Sequence, residues 1–199
     1  MFEVEQKFIL SEEDIERLVD GAEFLGEKTF TDTYFDTAEF ALTKNDMWLR
    51  KRGEEFELKI PMREVTESRT NQYQEIEGED KIREVFSIAP FKSFVEDIAA
   101  LGHDAFCVCT TTRKKYQKEG FVIDLDLVEY GDFSYALGEI ELLVEQKAQM
   151  AEAVGMIEKF AEKNGLKNLP VRGKVIEYLK RKKPEHYRAL VAVGVVIDE

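Results

Sequence analysis

Charged residues recur in this sequence two positions apart. "EVEQK" puts Glu3, Glu5 and Lys7 on alternate positions, "DLD" does so for Asp124 and Asp126, and "GEIE" for Glu139 and Glu141. "WLRKR" spaces Trp48, Arg50 and Arg52 in the same way, and "FELK" spaces Glu57 and Lys59. Tyr73, Glu75 and Glu77 follow this rule, as do Thr111, Arg113 and Lys115. Side chains at i and i+2 share one face of a β-strand. Each stretch, read as a strand, therefore has a charged face and an opposite one, the latter carrying Val4 and Phe8, Leu58 and Ile60, Ile123 and Leu125, or Ile140 and Leu142.

Any one of these faces fits an ordinary antiparallel strand with a wet side. The set points to more. The faces carry paired like charges, which repel at close spacing unless something neutralises them. Paired carboxylates suit a hard divalent cation such as Mg²⁺, which takes oxygen ligands together with substrate phosphates. Paired arginines and lysines suit phosphate oxygens. Together they describe a metal-assisted polyphosphate site. Lys7, Arg50, Arg52, Lys59, Arg113 and Lys174 supply the positive charge that a triphosphate requires.

The elements that must position these groups are legible in outline. Residues 2–9 predict a first strand. Ser11, with Asp14 in the capping-box position, opens a helix over 12–25, with Gly26 as its stop. "TFTDTYFDT", "MWLRKRG", "FELKIPM" and "QYQEIE" predict strands, and residues 63–72 a polar loop between the last two. Helices are expected over 91–101, 146–163 and 173–182, with a break at Pro184 and a short helix beyond it. "FCVCTTTRKKYQ" and "FVIDLDLVEY" predict a hairpin around "KEG", and "YALGEIELLVE" a further strand. The class is α+β, one domain over 1–199, with an antiparallel sheet. If helices cover the apolar faces from outside, the charged faces converge inside a closed barrel of roughly eight strands.

Composition narrows the function classes. The net charge of −13 argues against a general nucleic-acid surface, which needs an excess of Lys and Arg. A chain acidic overall can still focus positive charge on an anionic ligand. No apolar run is long enough to cross a bilayer, and no signal peptide is read at the N-terminus. Cys107 and Cys109 share a strand face and are poorly placed to form a disulfide with each other. A reduced, cytoplasmic setting is the expectation, with no membrane partner. His103 and His186 are isolated and read as surface residues. "KRKK" at 180–183 reads as a solvated helix end, favourable near the C-terminal dipole.

The motifs resemble the CYTH, or triphosphate tunnel metalloenzyme, family. "EVEQK" fits its E-x-E-x-K signature, and "TDTYFDT", "MWLRKRG", "FELK", "TTTR", "DLD" and "GEIE" occur in the family's order. "GKVIEYLKRKKPEHYRAL" is similar to the C-terminal segment of the family's animal-type thiamine triphosphatases. The resemblance spans nearly the whole chain and is weakest over 62–105. The segment "LVEYGDF" after Asp126 is longer than the family's pattern.

The resemblance implies a tunnel through an antiparallel barrel of about eight strands, with Mg²⁺ on an acidic wall and triphosphate along a basic one. Matched position by position, Glu3, Glu5, Asp124, Glu139 and Glu141 are the implied metal residues. Lys7, Arg50, Arg52, Lys59, Arg113 and Lys174 are the implied phosphate-binding residues. Trp48 matches an aromatic residue that packs on thiamine, and Tyr34 with Lys59 a pair that assists proton transfer. The implied activity is hydrolysis of thiamine triphosphate by a monomer. The alternatives are another organic or inorganic triphosphatase, a cyclase on the same scaffold, or a non-catalytic organic-phosphate binding module.

Overall fold

The structure is a computed structural model and describes residues 2–62 and 71–197. Among these are eight strands: β1 Phe2–Phe8, β2 Glu23–Asp36, β3 Trp48–Arg52, β4 Glu55–Pro61, β5 Asn71–Glu77, β6 Asp104–Lys118, β7 Phe121–Glu129 and β8 Ser134–Val144. Six helices accompany them: α1 Glu12–Val19, α2 Glu79–Phe86, α3 Phe94–Ala100, α4 Met150–Lys163, α5 Lys174–Lys182 and α6 Pro184–Ala192. The hydrogen-bonded strand order β1-β5-β4-β3-β2-β6-β7-β8 closes on itself as a barrel. Antiparallel pairing is seen between β1 and β5, β1 and β8, β2 and β3, β3 and β4, and β7 and β8. Among the described residues no helix is long and apolar enough to cross a membrane.

The chain resolves into two compact units. The first comprises Met1–Thr29, Met62–Gln74 and Thr111–Lys174. Its core joins the apolar sides of β1, β7 and β8 to α4: Val4, Phe8, Ile123 and Ile140 pack with Ala153, Ile157 and Phe160. The charged sides of the same strands are thereby turned away from α4. The β6–β7 hairpin turns on Glu119 and Gly120, both at positive φ, the conformation that a tight two-residue hairpin requires. The second unit comprises Phe30–Pro61, Glu75–Thr110 and Val175–Glu199. There Phe35, Leu49, Phe56 and Leu58 pack with Ile82, Phe94 and Ile98 from α2 and α3.

Several boundaries differ from the sequence reading. The helix expected over 12–25 is α1 alone: the capping box of Ser11 and Asp14 opens it. It stops because Asp20 turns extended and Gly21 takes φ +70°. Gly26, read as the stop, lies within β2. The helix expected over 91–101 begins at Phe94, capped by Ser93 and Glu96. Asp97 accepts the amides of Phe91 and Lys92 at 3.2 and 3.0 Å, which holds those residues outside the helix. Residues 147–149 form a 3₁₀ turn ahead of α4. Helix α2 went unread, being eight residues long with no side-chain cap. Of the polar loop expected at 63–72, positions 63–70 lie outside the described residues, and Asn71 and Gln72 belong to β5. The break at Pro184 is as expected, with the proline at the start of α6. Cys107 and Cys109 are buried and form no disulfide among the described residues.

The histidines are not surface residues. His103 is half-buried and stacks on Phe86. His186 exposes 3% of its surface and stacks on Phe40 with ring centroids 3.9 Å apart. Asp36 organises this corner. Its carboxylate accepts the amides of Thr37 and Leu42 on one oxygen, and the amide and hydroxyl of Thr43 on the other. The Thr43 proton is thus directed to Asp36, so Oγ1 accepts from His186 Nε2–H across 2.7 Å. Burial pulls the His186 pKa down to about 4, against the pull of Asp36.

The sign of the linkage follows. His186 binds fewer protons folded than unfolded between about pH 4 and the ordinary histidine value of about 6.5. Stability contributed here is present above that window and is lost as pH falls through it. Denaturant unfolding should fall more steeply between about pH 7 and about pH 4.5 for wild type than for His186→Gln, by about 2 kcal/mol. Equal slopes would show that His186 carries no such linkage.

Candidate active site

In the first unit the alternation of β1, β7 and β8 gathers carboxylates on one side. Register places Glu5 opposite Glu141, Lys7 opposite Glu139, and Asp124 opposite Glu139. Glu3, Glu5, Asp124, Glu139 and Glu141 each expose 9% or less of their surface. Two overlapping sets of carboxylate oxygens result, Glu3 with Glu5 and Glu141, and Asp124 with Glu139 and Glu141. Within each set the oxygens lie within 4.8 Å of one another.

Like charges this close need a counter-charge. Arg113 on β6 supplies part of it. Its Nε and Nη2 donate to the two oxygens of Asp126, each at 2.6 Å, Nη2 also to Glu139 at 2.9 Å, and Nη1 contacts Asp124. Burial alone would loosen the guanidinium proton, but Asp126, Glu139 and Asp124 outweigh it and hold Arg113 charged. Lys7 contacts Glu5 and lies 3.8 Å from Glu139. Burial and Glu5 raise the Glu139 pKa, yet Lys7, Arg113 and Lys174 bring it below the ordinary glutamate value.

Glu141 is the exception. Burial, then Asp124, Glu139, Glu3 and Glu5, push its carboxyl well above the ordinary range. Burial also raises Asp124, against Arg113 and Lys115. Asp124 Oδ1 is buried and accepts no hydrogen bond among the described residues, with Lys115 Nζ 3.4 Å away. A divalent cation with oxygen ligands answers each of these features. The residues fit such an ion.

The second unit carries the other charged pattern. Tyr34 lies opposite Arg50, and Asp32 opposite Arg52, across β2 and β3. Trp48 lies opposite Lys59, and Arg50 opposite Glu57, across β3 and β4. Asp32, wholly buried, holds Arg52 in a bidentate pair at 2.7 and 2.8 Å, and Phe30 stacks beneath the guanidinium at 3.8 Å. Arg50 donates to Glu57 at 2.8 Å through Nη2, while its buried Nε–H finds no acceptor among the described residues. Lys59 pairs with Glu75 at 3.1 Å. Burial, reinforced by Asp32 and opposed by Arg50, pushes the Tyr34 phenol well above its ordinary pKa, so it stays protonated. Trp48 is half-buried and donates its indole N–H to Asp46 at 2.9 Å.

Sequence reasoning assigns no role to the residues that hold these groups, although it reads Glu75 on a charged strand face. Asp32, Asp46 and Glu75 are the acids that orient Arg52, Trp48 and Lys59. The alternation of "TFTDTYFD" puts Asp32 and Tyr34 on one face, which was the available signal. Asp126 pairs with Arg113 and belongs to neither carboxylate set. Tyr130 and Tyr135 donate to the carbonyls of Lys174 and Arg172 at 2.7 and 2.8 Å, which fixes the approach to α5. Gly173 sits where a β-carbon would come 3.2 Å from Lys7 Cε. No periodicity marks those three.

Comparison with known proteins agrees with this architecture. Residues 1–170 match the CYTH domain. A thiamine-triphosphatase from Macaca fascicularis is 30% identical over 210 residues, covering 98% of this chain and 91% of the relative. The Homo sapiens thiamine-triphosphatase is 30% identical over 212 residues with the same coverage. Among solved structures, a Pyrococcus horikoshii OT3 protein superposes with a TM-score of 0.63 at 24% identity, over 90% of this chain and 99% of its own. The buried carboxylate sets, the closed eight-stranded barrel and these matches place the chain in the CYTH family.

Proposed function

We propose that the protein hydrolyses thiamine triphosphate to thiamine diphosphate and inorganic phosphate, with Mg²⁺ as its cofactor. The observation that carries this reading is the pair of carboxylate sets sharing Glu141, a buried acid surrounded by four others. The substrate assignment draws on the likeness to the mammalian thiamine-triphosphatases. Glu3, Glu5 and Glu141, or Asp124, Glu139 and Glu141, would hold the ion, which when bound offsets charge on phosphate oxygens.

The remaining work falls to the chain's own groups. Lys7, Arg113 and Lys174 in the first unit, and Arg50, Arg52 and Lys59 in the second, are the proposed phosphate-binding groups. Arg50 offers an Nε–H with no acceptor among the described residues, and a phosphate oxygen would satisfy it. Water attacks the terminal phosphorus in line with the leaving diphosphate, a step that depends on positioning and electrostatics. Glu3 is an inward carboxylate available to orient that water. Tyr34, held as the neutral phenol, is suited to donate a proton rather than take one, in partnership with Lys59. Trp48 stacks on the cationic thiazolium, an interaction of about 0.5–2 kcal/mol. In this reading the protein acts as a monomer in the cytoplasm, where Cys107 and Cys109 remain reduced.

Three outcomes are expected. With thiamine triphosphate, inorganic triphosphate and ATP assayed side by side under a Mg²⁺ titration, phosphate release should favour thiamine triphosphate and cease on chelation. A preference for either other substrate would reassign the activity within the scaffold, and tight binding without release would make the chain a binding module. Glu141→Gln should lower metal-dependent turnover by at least about 100-fold, on the scale of losing an essential electrostatic group. The same substitution should raise the metal-free thermal midpoint at neutral pH, because it removes the cost of either ionising or protonating a carboxyl among four buried acids; a lowered midpoint would contradict that cost. Trp48→Ala should cut kcat/KM for thiamine triphosphate by about 2–30-fold and spare inorganic triphosphate. An equal loss with both would refute stacking as the source of specificity.

A further inference from the structure

Trp48 owes its setting to a short, heavily tied turn in the second unit. The 3₁₀ turn Thr43–Asn45 follows the Asp36 knot, and Asp46 closes it with its amide on Thr43 O. Asn45 donates its side-chain amide to Ala41 O at 2.9 Å, and the Met47 amide reaches Leu42 O at 3.1 Å. Asp46 itself takes a left-handed backbone, φ 59° and ψ 24°. That conformation is rare outside glycine and is tolerated best by asparagine and aspartate. It returns the carboxylate toward the chain two residues on, where Oδ1 accepts the indole N–H of Trp48 at 2.9 Å. Both side chains are half-buried, so the bond is partly shielded from water.

A carboxylate is not a neutral choice of acceptor here. A charge-assisted hydrogen bond is stronger than one to an amide or carbonyl. It also draws electron density into the indole ring, and the negative face of an aromatic ring is what attracts a cation. From this we infer that Asp46 is a positioning residue that tunes Trp48 for a positively charged heteroaromatic ring, and so sets the preference for an organic, cationic triphosphate over a bare one. The inference rests on the proposed stacking role of Trp48 and adds the source of its selectivity. In this inference Asp46 acts through the ring, to which it is tied at 2.9 Å through the indole N–H.

The test is Asp46→Asn. Asparagine suits the left-handed backbone and keeps an oxygen for the indole N–H while removing the charge. Trp48 is the one tryptophan of the chain, so its emission reports the ring alone. Quenching of that emission by thiamine diphosphate measures binding without turnover. Asp46→Asn should weaken this binding by about 5–10-fold and lower kcat/KM for thiamine triphosphate by a similar factor, within the range of a cation–π contact. Inorganic triphosphate turnover should stay within about twofold, since that substrate has no cationic ring to stack on Trp48. Trp48→Phe, which has no indole N–H, should make a second substitution at Asp46 nearly silent. An unchanged preference in Asp46→Asn, with Trp48→Ala still losing it, would overturn the role of Asp46 and leave stacking intact. An unchanged preference in Trp48→Ala would instead overturn the stacking reading. Equal loss with both substrates would mark Asp46 as a purely structural residue and also overturn the inference.

Discussion

Everything in this protein depends on keeping charges of one sign buried side by side. Strand alternation makes this unavoidable. Once Glu3 and Glu5, or Glu139 and Glu141, share a strand face, no rotation of the strand separates them. The fold copes by opposing acids with cations across strands. In the second unit each cation has its own acid: Arg52 has Asp32, Arg50 has Glu57, and Lys59 has Glu75. In the first unit Arg113 is spread over Asp124, Asp126 and Glu139, and Glu141 remains incompletely matched. That local deficit of positive charge is what gives the carboxylate sets the character of a metal site.

Such a face does not hold itself together. Buried ion pairs return little net stability, because desolvation offsets most of their attraction. The stabilising work lies on the reverse side of the same strands. Val4, Ile123 and Ile140 are fully buried against α4, and Leu49 and Leu58 against α2 and α3. A fully buried residue of this size contributes about 1.5–3 kcal/mol. Apolar and ionic residues therefore alternate along one backbone, the first anchoring the geometry that the second requires.

The charged faces and the strands that bear them were legible in the sequence because period-two alternation is strict over "EVEQK", "DLD", "GEIE" and "WLRKR". The expected α+β barrel with external helices is the observed one. Helix ends were less legible. Gly26 has the composition of a stop, but Gly21, five residues earlier, takes the left-handed turn. Pro90 has the look of a helix opening, but Asp97 captures the amides beyond it. The partners of the site residues were least legible. That Asp46 meets Trp48 depends on one residue's positive φ, and that His186 is buried depends on a threonine 143 positions away. Pattern reading cannot reach either.

The strand order has a further consequence in time. β1 is flanked by β5 and β8, neither of them its neighbour in sequence. β1 must wait for residues 134–144 before its second edge is paired. Until then Val4 and Phe8 lack the cover of α4, and Glu3 and Glu5 lack Glu141. Pairings of such long sequence separation close slowly, because the entropy of the loop is lost before contacts repay it. The carboxylate sets are thus among the last features of the fold to exist. A nascent chain can bring Glu141 to Glu3 and Glu5 only after the intervening residues 6–140 have been made.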